Sequence, residues 1–112
     1  MLKILLSGCN GRMGQAITNL CREDEDVVIT AGLDQNAVKL ADYPVYADLM
    51  EYGGTADVLV DFSNASALEG LLAYGLEHKI PLVLATTGYS EDQLKAVAKA
   101  AERIPEIGRA HV

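Results

Sequence analysis

Cysteine is scarce in this 112-residue chain: the two present, Cys9 and Cys21, give neither a disulfide framework nor a metal-ligand spacing. That excludes a stapled extracellular scaffold and a zinc module, and it fits a reducing, cytoplasmic setting. Positive charge is also short. Nine Lys and Arg stand against sixteen Asp and Glu, a net charge of −7 without long acidic blocks. This excludes a nucleic-acid surface and a polybasic membrane contact. No apolar run reaches membrane-spanning length, and the first residues run straight into a strand containing Lys3 without the pattern of a secretory signal, so a soluble, unprocessed chain is expected. No repeat of the solenoid kind is present. With half its residues apolar, the chain has material for one compact domain with a modest core.

What the sequence does have is a glycine-rich turn after a buried strand. Leu2, Ile4, Leu5 and Leu6 read as a strand covered on both faces, and Met13, Ala16, Ile17, Leu20 and Cys21 then recur at helical spacing. Between them lie Gly8, Gly11 and Gly14, in the pattern G-x-x-G-x-x-G, with Asn10 where a dinucleotide fingerprint usually has its middle glycine. Asn tolerates left-handed backbone angles better than most residues. Such a strand–turn–helix corner offers free N–H groups and the positive end of a helix dipole to a diphosphate. Cys9 lies in this turn, but no neighbouring base marks it as a nucleophile, and it reads as a small loop residue.

The acidic stretch of residues 23–26 ends the first helix, and VVITAGL over Val27–Leu33 forms the second strand. Asp34 follows, 20 residues beyond Gly14, the spacing at which this fold class places an acid on the adenosine ribose hydroxyls. Gln35 stands where a basic residue would favour a 2′-phosphate, which tilts the cofactor reading toward NAD(H) over NADP(H). Residues 44–46 suggest a short strand and residues 48–52 a helical turn. Residues 57–62 form a fourth strand, with Ser63 and Asn64 as caps for a helix carrying Leu68, Leu71, Leu72 and Leu76. His78, at that helix's end, suits the dipole and receives no catalytic role. A fifth strand over residues 81–85 leads into Thr86, Thr87, Gly88 and Tyr89, and a Ser90–Gln93 capping box opens a helix with Leu94, Val97, Ala98 and Ala101 on one face.

The predicted fold is therefore α/β, a Rossmann-like doubly wound parallel sheet. Ligands of such sheets bind beyond the carboxyl ends of the strands, where the turn of residues 8–14, Asp34 and Gln35, residues 62–64 and residues 85–88 all fall. The first two loops suit the adenosine diphosphate half of a dinucleotide. The last two suit the nicotinamide half.

Three segments, GCNGRMGQ, DVLVDFSNAS and ATTGYSEDQ, resemble the N-terminal domain of the dihydrodipicolinate reductase family over roughly residues 1–105. The resemblance implies an NAD(P)H-dependent reductase of the diaminopimelate route to lysine. It implies that Gly8, Cys9, Asn10, Gly11, Arg12 and Met13 wrap the pyrophosphate and Asp34 holds the ribose. Ala85, Thr86 and Thr87, in the loop closed by Gly88, would lie along the nicotinamide ribose and carboxamide, bordered by Phe62 and Ser63. Ala85 stands where the family commonly has Gly, and Gln35 where an Arg often supports NADPH.

The family's second domain carries a His-His-x-x-Lys-x-Asp-Ala-Pro-Ser-Gly-Thr motif for acid catalysis and substrate binding, and nothing here matches it. The expectation is cofactor binding without reductase activity, in a monomeric fragment of a homo-oligomeric enzyme. Residues 106–112 depart from the apolar strand expected there and read as a non-family tail left by a cut sequence read, leaving the sheet incomplete at its C-terminal end. The rival expectations are a fragment of another Rossmann amino-acid dehydrogenase and an NAD(H)-binding regulatory module.

Overall fold

The structure is a computed structural model that describes residues 1–86, 88–104 and 107–109. The chain runs β1 (Leu2–Ser7), α1 (Arg12–Arg22), β2 (Val27–Leu33), β3 (Val45–Tyr46), a 3-10 turn (Leu49–Glu51), β4 (Val58–Asp61), a second 3-10 turn (Ala65–Ala67), α2 (Leu68–His78), β5 (Leu82–Leu84), α3 (Glu91–Ala100) and β6 (Ile107–Arg109). The six strands form one sheet in the order β3-β2-β1-β4-β5-β6, every neighbour parallel. This is the strand order of the Rossmann fold. The expected α/β class therefore holds.

Helices cover both faces, which is why β1 alternates between two cores rather than between core and water. Ile4 and Leu6 pack with Cys9, Ile29, Tyr43 and the α1 residues Ile17 and Cys21 on one face. On the other, Leu5, Leu59, Leu82 and Leu84 pack under Leu68, Leu71 and Leu72 of α2 and Val97 and Ala100 of α3. The β1–β2 register slips between Ile4 and Leu5, so that Ile4 faces Ile29 but Leu5 faces Ala31. The extra residue, Thr30, lets Ile29 serve one core and Ala31 the other. The Tyr52 hydroxyl lies 3.1 Å from Thr30 Oγ1 and 2.9 Å from the Thr55 carbonyl, tying the loop before β4 to this bulge.

The buried face of α1 differs from the expected one. Met13 and Leu20 are exposed, whereas Gly14 and Thr18 are buried. Gly14 explains the rotation: a Cβ there would come within 2.6 Å of the Cys9 carbonyl oxygen, so the helix approaches the turn along its glycine edge. Thr18 follows one turn later, its hydroxyl donating to the Gly14 carbonyl at 2.8 Å and lying 2.8 Å from the Tyr43 hydroxyl. In α3, Val97 and Ala100 are buried while Leu94, Ala98 and Ala101 are exposed, and in α2 Leu76 lies at the surface.

The Ser90–Gln93 capping box forms as expected, and Gln93 Nε2 also donates to the Ala65 carbonyl at 2.7 Å, joining α3 to the turn before α2. Helix α2 ends with Lys79 in the left-handed conformation, φ 55°, after which Ile80 bonds back to Gly75. The stretch expected to stand outside the fold supplies an edge strand: Ile107–Arg109 pairs in parallel with Leu82–Leu84. Pairing of this kind is carried by main-chain groups, so it does not require the apolar sequence expected there. Among the described residues no helix is long and apolar enough to cross a membrane.

Candidate functional site

The carboxyl ends of β1, β2 and β4 open into one cavity of about 620 Å³, bounded on its far side by the Leu49–Glu51 turn and α2. Gly8, Gly11, Asp34, Gln35, Phe62 and Ser63 line it, so the first three expected loops meet as proposed from their positions after the strands. The turn is built tightly. Gly8 has φ +82° and its N–H donates to the Leu33 carbonyl at 2.7 Å. A Cβ on Gly8 would come within 2.7 Å of the Phe62 carbonyl carbon, so β1 and β4 leave no room for a side chain at this corner. Gly11 is the N-cap of α1 and brings no side-chain cap. The first-turn amides are thus free of side-chain partners, a donor set that fits a diphosphate.

Asp34 sits at the centre of the adjacent wall. Its Oδ2 accepts from the Asn10 amide and its Oδ1 from the Asn36 amide, each at 3.0 Å. Asn10 Nδ2 donates to the carbonyls of Asn36 and Val38, at 2.7 and 2.8 Å, and the Asn10 carbonyl accepts from Gln15 Nε2 at 2.9 Å. The glycine turn and the loop after β2 are therefore one bonded unit.

Other expected site residues are placed differently. Cys9 is buried, its Sγ turned against Gly32 and donating to Asn10 Oδ1 at 3.7 Å. Burial, and next the charge of Asp34, push its thiol up to about 11, so at neutral pH it is a protonated core residue and not a nucleophile. Arg12 and Met13 open α1 as exposed residues outside the cavity lining. Ala85 and Thr86 also lie outside it, yet both are fixed to it through Asp61. Gly88 is exposed with φ +84°. Thr87 lies outside the described residues.

Asp61, wholly buried, is the residue the sequence reading missed. Its Oδ1 accepts from the Ser63 amide at 3.0 Å and from the Ser63 hydroxyl, its Oδ2 from the Thr86 hydroxyl at 3.0 Å, and its carbonyl from the Ala85 amide at 2.9 Å. The signal was present: an Asp ending an apolar strand needs donors, and Ser63 and Thr86 follow the ends of β4 and β5. His78 is not among the residues that line the cavity; its ring lies tilted against that of Tyr74, with centroids 4.2 Å apart. Among the described residues no cluster of His, Cys, Asp and Glu could hold a metal ion.

The model of the family described as "Dihydrodipicolinate reductase, N-terminus" matches residues 2–110. The chain belongs to that family. A relative named 4-hydroxy-tetrahydrodipicolinate reductase, from Caldanaerobacter subterraneus subsp. tengcongensis, is 43% identical over 105 residues, which cover 94% of this chain and 41% of the relative. Another of the same name, from Clostridium novyi, is 37% identical over 112 residues, all of this chain and 44% of that one. The chain thus spans under half the length of the curated relatives it matches. Among solved structures, a dipicolinate-bound dihydrodipicolinate reductase from Paenisporosarcina sp. TG-14 superposes with a TM-score of 0.77 at 23% identity, covering 91% of this chain and 43% of that one. At that identity the superposition speaks for the fold. The family match also takes in β6, so those residues belong to the matched segment as well as to the sheet.

Proposed function

We propose that the chain is the NAD(P)H-holding portion of a 4-hydroxy-tetrahydrodipicolinate reductase of lysine and diaminopimelate biosynthesis. The observation that carries this reading is the convergence of the uncapped start of α1, Asp34 and the Phe62–Ser63 corner on one cavity within a chain of this family. The cofactor, when bound, supplies the hydride. In the whole reaction substrate, NAD(P)H and a proton give tetrahydrodipicolinate, NAD(P)⁺ and water.

The chain's own residues do the holding. Gly8, Gly11 and the amides of Arg12 and Met13 receive the diphosphate, with Cys9 and Asn10 contributing backbone to the same turn. Asp34 accepts from the adenosine ribose hydroxyls. Phe62, Ser63, Ala85, Thr86, Thr87 and Gly88 form the nicotinamide side, where Asp61 ties Ser63, Ala85 and Thr86 together. Gln35 beside Asp34 favours NADH over NADPH, since two neutral or acidic side chains offer a 2′-phosphate no cation. The acid catalyst and the groups that bind the substrate carboxylates belong to the remaining length of the relatives, and so does the contact surface of a homo-oligomer. A cytoplasmic setting suits the free thiols of Cys9 and Cys21.

Titration of the 112-residue chain with NADH, followed by nicotinamide fluorescence, tests the reading. Saturable binding weakened about tenfold or more in Asp34→Ala is expected, with no turnover of substrate. Absence of saturable binding by a folded chain overturns it.

A further inference from the structure

Asn10 occupies the position where a fingerprint glycine would carry no side chain, and its carboxamide is fully employed. Both Nδ2 hydrogens go to the loop after β2, to the carbonyls of Asn36 at 2.7 Å and Val38 at 2.8 Å. These partners lie 26 and 28 residues away in sequence, so the contact is not a local turn device. The backbone amide of Asn10 and that of Asn36 take one oxygen each of Asp34. Four hydrogen bonds thus bind the glycine turn, the acid and residues 36–38 together, and they use all three N–H of Asn10 and the backbone N–H of Asn36. What then faces the cavity at this point is the carboxylate of Asp34 and the neutral Gln35. The nearest cation in the loop sequence is Lys39, exposed and one residue beyond the clamped segment.

We infer that Asn10 is a positioning residue for cofactor discrimination: by clamping residues 36–38 beside Asp34, it holds the adenosine-ribose subsite in a form that takes a 2′-hydroxyl and disfavours a 2′-phosphate. This rests on the dinucleotide reading above. A hydroxyl can donate to the remaining lone pairs of Asp34. A phosphate dianion would instead stand against the Asp34 carboxylate, whose oxygens already hold the Asn10 and Asn36 amides, beside the uncharged Gln35. Releasing the clamp removes the constraint on the chain leading to Lys39 and lets the loop rearrange around the extra charge.

The test compares the 112-residue chain with Asn10→Ala and Asn10→Asp, titrated in parallel with NADH and NADPH. Both variants are expected to bind NADH about fivefold more weakly or worse while losing less affinity for NADPH, so that the NADH-to-NADPH preference narrows by about threefold or more. Equal loss for the two cofactors, or no loss, overturns the discrimination role while leaving the dinucleotide reading intact. Failure of the parent chain to bind either cofactor overturns both. Amide exchange, which needs no cofactor, supplies a second check. The Asn36 amide should exchange faster in Asn10→Ala, and unchanged exchange overturns the clamp itself.

Discussion

The Thr86 hydroxyl donates to Asp61 Oδ2 at 3.0 Å, so the loop leaving β5 hangs from a buried carboxylate at the end of β4. The same carboxylate receives the amide and hydroxyl of Ser63, which makes one side chain the common support of both loops on that side of the site. Removing it leaves three donors without their acceptor. Asp61→Ala is expected to cost about 2 kcal/mol of stability, read as a lower urea midpoint, because three partly buried donors lose their common acceptor. A cost under about 1 kcal/mol would show that water replaces the carboxylate, against its full burial.

Gly8 is a corner with two independent objections to a side chain, its φ of +82° and the Phe62 backbone, 2.7 Å from where a Cβ would stand. Neither can be relieved by a rotamer change, since the obstacle is main chain. Gly8→Ala should lose about 2–4 kcal/mol, and NADH binding should go with it because the corner opens onto the diphosphate turn. The measurement is thermal unfolding beside a cofactor titration. A variant with parental Tm would mean that β1 and β4 separate at that end without cost.

The alkaline limb of stability should depend on Cys9. Its thiol rises from 9.0 to about 11 in the fold through burial and the charge of Asp34, so the folded chain holds the proton more tightly than the unfolded one. The stability this contributes is complete below pH 9.0 and drains away as pH climbs toward about 11. Burial also raises Cys21, Tyr43 and Tyr74, which adds to the same direction. Urea midpoints should therefore fall through this interval, and fall less steeply in Cys9→Ser. Equal slopes for the two chains would remove Cys9 from the account.

The parallel sheet, its crossover helices and the glycine corner were legible because each has a local signature: apolar runs, helical spacing and glycines between them. The Ser90–Gln93 box was legible for the same reason, as its partners are three residues apart. Asn10 was not, because its clamp on Asn36 and Val38 joins segments that no periodicity relates. The face of α1 was misread since apolar spacing favours Leu20 and Met13, while the burial of Thr18 follows from how closely Gly14 lets the helix approach. The edge strand of Ile107–Arg109 escaped notice because main-chain pairing leaves little trace in side-chain pattern.

Tyr52 offers a last test, on the bulge that divides the two cores. Its hydroxyl lies 3.1 Å from Thr30 Oγ1 and 2.9 Å from the Thr55 carbonyl, while its ring packs against Tyr46 with centroids 5.8 Å apart. Tyr52→Phe keeps the ring and removes the hydroxyl, isolating the polar tie. A loss of about 1 kcal/mol is expected, the worth of one partly buried hydrogen bond, with the NADH titration little changed because Thr30 lies outside the cavity lining. Thr30→Val should cost a similar amount, and the double variant less than the sum of the two, since both remove the same contact. Strict additivity would show that the two side chains act separately and that the bulge is held by the strand register alone.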